Sequence, residues 1–497
     1  MLTLFPLIVF LSAQPPQEAA LPDELLPLSI EDVVRQVKLN APALNQAHLT
    51  ALASGAAVEE ADGAFDAVFF ADTTYSFTER PTAGGTFSGD LDSQNILSWN
   101  ARQGLRKALT TGGSFSASLS EVYTKDNLPE NFFGLNPDSN VSLNLEFTQP
   151  LLRGAWDLAG TYTRRSAEIS ADQALAGARE ADLAAIQSAV DAYWDLAFAL
   201  EDIKVKELSL NLAQELRDVT QAKFEVGSAA EVEVVQTEAD IATRRDALLT
   251  ARNTSRQAED ALRVLMFGLE DRAEWNLRLL PISEPDTPQK TELQFFAAFQ
   301  VADLHRSDLI RMRQDVIQKK LDWDLAKKNL MPKLDLVATG SSAGVAPQVH
   351  EALDVTRDFL YTGYSLGLNL EIPFGNHQYR GAELRARYSW ELAVRQLSDQ
   401  RHTVEMEIRD ALRSVNYLAD RVDVTSLASK VAKRQLEAEQ RRLEEGASTN
   451  FQVLQFQRDY EQALTAEKSA RMAFAKASTK MFTVQGLDWD GKTPTEE

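Results

Sequence analysis

Cysteine is absent from the 497 residues. That one absence excludes disulfides, thiolate metal sites, cysteine nucleophiles and an N-terminal lipid-modified cysteine. Histidine is scarce. His48, His305, His350, His377 and His402 are scattered, with no two at helical-face spacing, which argues against a zinc site. Basic residues are outnumbered, 51 Lys and Arg against 73 Asp and Glu, for a formal net charge of -22. Neutralising phosphates takes clustered Lys and Arg, so the charge balance argues against nucleic acid as a partner. No Gly-rich phosphate loop precedes a helix, no zinc-protease helix motif occurs, and no Ser/His/Asp grouping stands out. The chain is therefore read as a non-enzyme, with no catalytic, cofactor-binding or metal-ligating residues assigned.

Long apolar runs are missing as well. Nothing approaches the roughly 20 consecutive apolar residues of a transmembrane helix, so any membrane crossing must be made by strands. The apolar run near the N-terminus, from Leu2 to Leu11, is about half that length and suits the h-region of a secretory signal. Residues 1–20 are accordingly predicted to be a signal peptide, although the basic n-region is missing and Leu11 makes a poor cleavage site after Ala13.

The chain does contain two sharply different periodicities, used twice. A first helix is predicted from about Ser29 to Glu60, bent at Asn40-Ala41-Pro42. Strands follow between 68 and 148. The clearest is Val141-Ser142-Leu143-Asn144-Leu145-Glu146-Phe147, a strict alternation with period two. It ends at Pro150, and the period then changes: Leu183, Ile186, Val190, Tyr193, Ala197 and Leu200 step by three and four, the seam of a long helix. Gly227 is its first break, and a returning arm runs to about Phe267. A Pro-bearing linker (268–291) separates this from a second round. That round has a helix from about Glu292, strands between 333 and 372, a corner at Pro373-Phe374-Gly375, a long helix to Gly446 and a return to about Phe482. The two repeats are read as 29–267 and 292–485, with a tail at 486–497.

Register supports duplication. Pro150 and Gly227 are 77 positions apart, and Pro373 and Gly446 are 73 apart. Laying Gly446 on Gly227 puts Glu444 on Glu225, Val453 on Val234, Gln455 on Gln236 and Asp459 on Asp240.

Strands with one apolar face need a partner for that face and for their backbone edges, and in a membrane a closed barrel supplies both. The lipid-facing set is then Val141, Leu143, Leu145 and Phe147 in the first half. In the second it is Tyr364, Leu366, Leu368 and Leu370, continuing to Ile372. Four to six strands per chain are too few to close a barrel alone, and a helix of such length cannot bury itself on so little sheet. Several copies sharing one barrel answer both needs.

The stretches Phe224-Glu225-Val226-Gly227-Ser228-Ala229, with Val232, and Leu443-Glu444-Glu445-Gly446-Ala447-Ser448, on to Gln455, resemble the helix–turn–helix tips of the TolC-like outer-membrane efflux protein family (outer membrane factors). Phe147 to Gly154 and Ile372 to Gly375 resemble its strand-to-helix corners, here Pro150, Gly154, Pro373 and Gly375. Lys327 to Leu336 resembles its helix-to-strand junction. The likeness spans about residues 29–485. It implies an α+β membrane protein: a homotrimer sharing an antiparallel barrel, about four strands per chain, continued by a long coiled-coil-like periplasmic tunnel. It further implies an outer-membrane exit duct for tripartite efflux or type I secretion. Such a duct is a passive conduit, opened by docking of a periplasmic adaptor and an inner-membrane pump. The tips Val226, Gly227, Ser228 and Ala229, and Glu445, Gly446, Ala447 and Ser448, would meet the adaptor. Glu233, Gln236, Gln452 and Gln455 are the candidates for the tunnel entrance, where some members carry acidic residues past the second glycine; with Gln452 and Gln455 here, an aspartate gate is not supported. The alternative is a structural, periplasm-spanning coiled-coil envelope protein without transport.

Three local readings remain open from sequence. An extra hairpin from Trp99 to Tyr123, turning at Gly112-Gly113, could extend the barrel, lengthen a loop or fold back on the rim. Arg153, Arg164, Arg165, Arg380, Arg385 and Arg387 suit either solvated helix surface or lipid headgroups. Trp156 and Trp390 suit an interfacial belt or packing between helices. Ser307 stands where the family often has proline, with little consequence expected.

Overall fold

The computed structural model describes residues 25–81, 93–127, 134–267, 275, 277–285, 287, 288, 290 and 294–493. The signal segment 1–20, much of the linker 268–291 and the last four residues of the tail lie outside the described residues. The chain divides into two compact units: Met1–Gln46, Glu180–Arg306 and Val404–Glu497 in one, and Ala47–Arg179 and Ser307–Thr403 in the other.

The helices come in matched sets. α1 (Ile30–Asn40) and α2 (Pro42–Asp62) recur as α6 (Phe295–His305) and α7 (Ser307–Asn329). After a short α3 (Trp156–Gly160), the 64-residue α4 (Tyr162–Glu225) returns as α5 (Glu231–Met266). The 68-residue α9 (His377–Glu444) returns as α10 (Asn450–Thr483). At 1.5 Å per residue each long arm measures about 100 Å.

Breaks in the shorter helices arise differently in the two halves. Ala41 is extended, as a residue before proline must be. Arg306 is extended with no proline after it. There the break is held from outside: Arg306 donates to Glu407 at 2.5 Å and to the Val484 carbonyl at 3.1 Å. Gly486, at φ +76°, lies so close to the His305 and Arg306 backbone that a Cβ would come within 2.7 Å. These contacts hold at Arg306–Ser307 a break that proline imposes at Ala41–Pro42.

In the first unit, β1 (Leu25–Leu28) pairs parallel with β6 (Arg278–Pro281). β6 lies inside the stretch expected to be linker, so that stretch carries structure. Glu259 accepts from the Leu279 amide at 2.7 Å, and the Tyr193 hydroxyl bridges the two ends of this small sheet. It donates to the Leu28 carbonyl at 3.1 Å and accepts from the Ser283 amide at 2.9 Å. Beneath it Ile186, Val190 and Tyr193 of the predicted seam are fully buried with Val33, Val37, Leu262 and Met266. Polar satisfaction of Tyr193 is what lets so large a side chain stay dry.

The second unit holds one antiparallel sheet of six strands: β2 (Val68–Pro81), β3 (Ser93–Ala108), β4 (Ser114–Asp126), β5 (Asp138–Pro150), β7 (Lys333–Ala346) and β8 (Thr362–Glu371), in that order. Six is within the four to six read from the sequence and exceeds the four or so that the family resemblance implies. The extra hairpin extends the sheet: β3 and β4 pair along their whole lengths, with Trp99 opposite Tyr123. Its turn is fastened to the strand-to-helix corner. Thr111 donates to the Gln149 side-chain oxygen at 2.7 Å, Gln149 donates back to the Thr111 carbonyl at 3.0 Å, and the Trp156 amide donates to the same carbonyl at 2.8 Å. Gly112 and Gly160 permit the approach, since a Cβ on either would fall within 2.3 Å of a facing carbonyl oxygen.

Candidate docking tips and the two-faced sheet

Both tip turns close the same way. The Ser228 amide bonds to the Lys223 carbonyl at 2.8 Å and the Gly227 amide to Phe224 at 2.9 Å. In the second tip Ala447 bonds to Arg442 at 2.8 Å and Gly446 to Leu443 at 3.2 Å. This is the glycine-terminated Schellman arrangement, and Gly227 (φ +78°) and Gly446 (φ +75°) adopt the left-handed conformation it needs. Neither glycine has a neighbour within 4 Å of a Cβ position, so both open to solvent.

The two tips sit side by side within the first unit. Lys223 donates to the Leu443 carbonyl at 3.1 Å, and Asn450 donates to Glu233 at 2.9 Å. Leu216, Leu436, Leu443, Val453 and Leu454 pack between them. Val226 is largely exposed, as are Ser228, Glu445 and Ala447; Ala229 and Ser448 are half-buried, Ser448 bonding to Glu439 and to Gln452. Of the four entrance candidates Glu233 is half-buried on Asn450, whereas Gln236, Gln452 and Gln455 are exposed, Gln455 bonding to Asp459 at 3.0 Å. The structure therefore brings Glu233 alone into contact with the opposite tip.

Sequence reasoning missed a polar interlock farther up the same hairpins. Arg244, 6% exposed, donates to Asp240 at 2.5 Å, to the Ser209 carbonyl at 3.0 Å and to Gln457 at 3.1 Å, so α4, α5 and α10 meet on one guanidinium. Asp240 also takes Arg458 at 2.8 Å, and Glu461 takes Lys206 at 2.6 Å. Arg244 and Asp240 are four residues apart, the spacing of an ordinary exposed helix pair, so the only signal was that Asp240 lay on the duplicated register.

In the second unit the sheet has two unlike faces. The register puts Phe69, Tyr75, Phe77, Leu97, Trp99, Leu105, Phe115, Leu119 and Tyr123 on the side of Leu143, Leu145 and Phe147. Leu336, Tyr364, Leu366, Leu368 and Leu370 share that side. Its opposite carries Thr74, Asn100, Ser118, Asn144, Glu146, Ser341 and Asn369. Seven of the eight residues expected to face lipid lie open on the apolar side or partly so. Val141 does not: at 1% exposure it is covered by α8 (Val349–Arg357), a helix not expected from sequence.

The corners are joined to one another. Gly154 (φ +79°) and Gly375 (φ +87°) turn the chain after Pro150 and Pro373. Arg153 is mostly buried: it pairs with Glu371 at 3.2 Å and lies 4.7 Å from the centre of the Tyr379 ring, so it is neither solvated surface nor free for headgroups. Arg164 pairs with Asp62 at 3.1 Å, and Arg387 with Glu391 at 3.0 Å. Trp390 stacks on Trp323 at 5.1 Å, which settles it as packing, while Trp156 is exposed. Near this corner burial pushes the Tyr162 hydroxyl up to about 12, helped by its hydrogen bond to Asp322. Among the described residues no helix is long and apolar enough to cross a membrane.

The model of the outer membrane efflux protein family matches residues 108–266 and 298–486. The pyoverdine export outer membrane protein OpmQ of Pseudomonas aeruginosa is 24% identical over 319 residues, 62% of each chain, so the match spans less than two thirds of that relative. Nodulation protein T of Rhizobium leguminosarum bv. viciae is 27% identical over 372 residues, 70% of each. Among solved structures, the Campylobacter jejuni CmeC outer membrane channel superposes with a TM-score of 0.66 at 17% identity, covering 94% of this chain and 87% of that one. VceC of Vibrio cholerae gives 0.65 at 16%, covering 93% and 96%. Matched over most of its length and sharing the mixed helix-and-sheet fold of these channels, the chain belongs to the outer membrane efflux protein family, the TolC-like outer-membrane channels.

Proposed function

We propose that this protein is the passive exit duct of a tripartite efflux or type I secretion system. Three copies share one barrel in the outer membrane, with the helical hairpins in the periplasm and the tips meeting an adaptor coupled to an inner-membrane pump. Residues 1–20 act as the export signal, 29–267 and 292–485 as the two repeats, and 268–291 as their connection. The carrying observation is the sheet. It has one apolar face and, among the described residues, two unpaired edges, β2 and β8. Six alternating strands make those edges antiparallel, so the β8 edge of one copy fits the β2 edge of the next. Six strands in each of three copies make eighteen, a size that leaves a water-filled lumen.

The tips supply the docking surface. Val226, Gly227, Ser228 and Ala229 in one, and Glu445, Gly446, Ala447 and Ser448 in the other, are small or exposed enough for another helical tip to approach. Glu233, Gln236, Gln452 and Gln455 line the entrance. The reading is tested in two steps. Purified protein in planar bilayers should give large single-channel steps once the adaptor is added, and a bilayer silent with the adaptor present would return the chain to a structural envelope role. Gly227→Trp with Gly446→Trp should abolish export while leaving the trimer intact; normal export would remove tip docking.

A further inference from the structure

The helix α8 sits where a barrel's outer face should be bare. It packs on the apolar side of the sheet, over Val141 of β5 and Gly344 and Ala346 of β7, with Ala352 and Thr356 turned inward. The fit is close. A Cβ on Gly344 would come 2.2 Å from the Ala352 carbonyl oxygen, so only glycine admits the helix at this distance. Two hydrogen bonds fix it: Thr356 donates to the Val141 carbonyl at 2.9 Å, and Ser342 donates to the Thr356 carbonyl at 2.8 Å.

Its position along the strands can be measured. Tyr364 pairs with Gly340, and Gly344 lies four residues farther along β7, about 13 Å at the usual strand rise. On the other side of Tyr364 the apolar file Leu366, Leu368, Leu370, Ile372 runs to Phe374, all exposed. Within β8 the file runs from Tyr364 to Leu370, six residues or about 20 Å along the strand, and Ile372 and Phe374 carry it past the strand's end into the corner, so an aromatic residue stands at each end of the exposed apolar band. α8 therefore lies just past the rim marked by Tyr364.

Its outward side is mixed. His350, Glu351, Asp354, Arg357 and Asp358 are exposed, and beside them Leu353, Phe359, Leu360 and Tyr361 are exposed apolar side chains continuous with Tyr364. Charged groups could not lie in hydrocarbon, and four large apolar groups are misplaced in bulk water. A layer that satisfies both is the boundary between headgroups and acyl chains.

We propose that α8 and the segment Phe359-Leu360-Tyr361 form a collar seated in the headgroup layer of the membrane's outer leaflet. The polar side meets headgroups, and Leu353, Phe359, Leu360 and Tyr361 meet the upper acyl chains. The inference rests on the barrel reading above. It explains why β5 and β7 carry only Ser139, Val141, Ser342, Gly344 and Ala346 beneath the helix: small side chains leave room for a collar in place of a strand-borne girdle.

The test uses the absence of cysteine, since one introduced thiol is then the only one. Single spin labels at Leu353→Cys, Tyr361→Cys, Glu351→Cys, Leu368→Cys and Ser365→Cys are placed on full-length protein in phosphatidylethanolamine–phosphatidylglycerol vesicles. Collision with oxygen is compared with collision with a water-soluble nickel chelate. The collar predicts an oxygen-to-nickel ratio at Leu353 and Tyr361 at least ~threefold that at Glu351, approaching that at Leu368. Equal, nickel-dominated ratios at Leu353, Tyr361 and Glu351, with Leu368 still oxygen-dominated, overturn the collar and leave the barrel. A nickel-dominated Leu368 overturns the barrel and the collar with it.

Discussion

Arg244 is the side chain whose loss should loosen the tips most. Its guanidinium and the Asp240 carboxylate are both nearly inaccessible, at 6% and 4% exposure, and the arginine reaches α4 and α10 as well as its own helix. Arg244→Met keeps the length of the side chain and removes the charge. Asp240 is then left buried with one partner, Arg458, whose own side chain is 56% exposed. Removing one member of a buried pair typically costs 3–5 kcal/mol; with Arg458 retained the lower end applies, about 3 kcal/mol. If the loss falls on local opening of the hairpins, amide exchange there should accelerate on the order of 100-fold, at about 1.4 kcal/mol per decade. The assay is native-state hydrogen exchange of the purified protein, followed by mass spectrometry on peptides covering residues 237–250 and 453–461. A change below about threefold would refute the reasoning. Arg244→Met with Asp240→Leu supplies the control. It leaves no stranded charge, so exchange should return toward the wild-type rate. A double variant as labile as the single one would mean that packing, and not charge, holds the hairpins.

Three further outcomes follow from the geometry. Gly104→Val should destabilise the sheet and lower the melting temperature, because a Cβ there lies 2.3 Å from the Ala117 carbonyl oxygen across the β3–β4 ladder; an unchanged melting temperature would contradict that crowding. Arg153→Met should lower the melting temperature by a few degrees, reflecting about 1–2 kcal/mol from the lost ring contact and Glu371 pair, and an unchanged melting temperature would count against the corner clamp. Burial raises the Asp191 carboxyl above its ordinary 3.8, a shift only partly opposed by the Gln187 hydrogen bond and Lys476. The folded state then favours the neutral acid more than the unfolded chain does. Its ionisation costs stability as pH rises from 3.8 through the folded value, and all of that cost is present at neutrality. Asp191→Asn should thus raise the melting temperature at pH 7, with the gain fading as pH falls toward 4; a gain constant across that range would contradict the assignment.

What was legible in the sequence was whatever a local period or a single backbone demand dictates. β5 and β8 were readable because their alternation is unbroken. β3 and β4 were readable as a hairpin from Trp99 to Tyr123 but not their place in the sheet, and β2 was not resolved within the strand-rich stretch because Phe69 and Phe70 are adjacent and interrupt the alternation. The tips were readable because a positive φ ends a helix and glycine tolerates it best. β6 was not: its four residues sit among prolines, and they become a strand only by pairing with Leu25–Leu28, some 250 positions earlier. α8 was hidden for a similar reason. Its inward residues are only Ala352 and Thr356 with flanking valines, too little for a helical stripe, and the glycine that receives it lies on another element.

The duplication itself explains why the interlock could not be read. Gly446 repeats Gly227, and both adopt the same turn, because the turn leaves no other residue an equal choice. The same register puts Asp459 on Asp240 and Ala463 on Arg244. Asp459 therefore has no arginine one turn ahead and lies exposed on Gln455, while Asp240 is buried under Arg244 and Arg458. A backbone requirement is met within one repeat and survives copying. A buried charge pair also needs partners on neighbouring helices, α4 and α10 here, and two copies of one hairpin do not have the same neighbours. Equivalent positions in the two repeats were thus free to part wherever a side chain looks outward across the bundle. The halves should accordingly differ in how firmly they are held, with the first hairpin fastened through Arg244 and the second fastened to it.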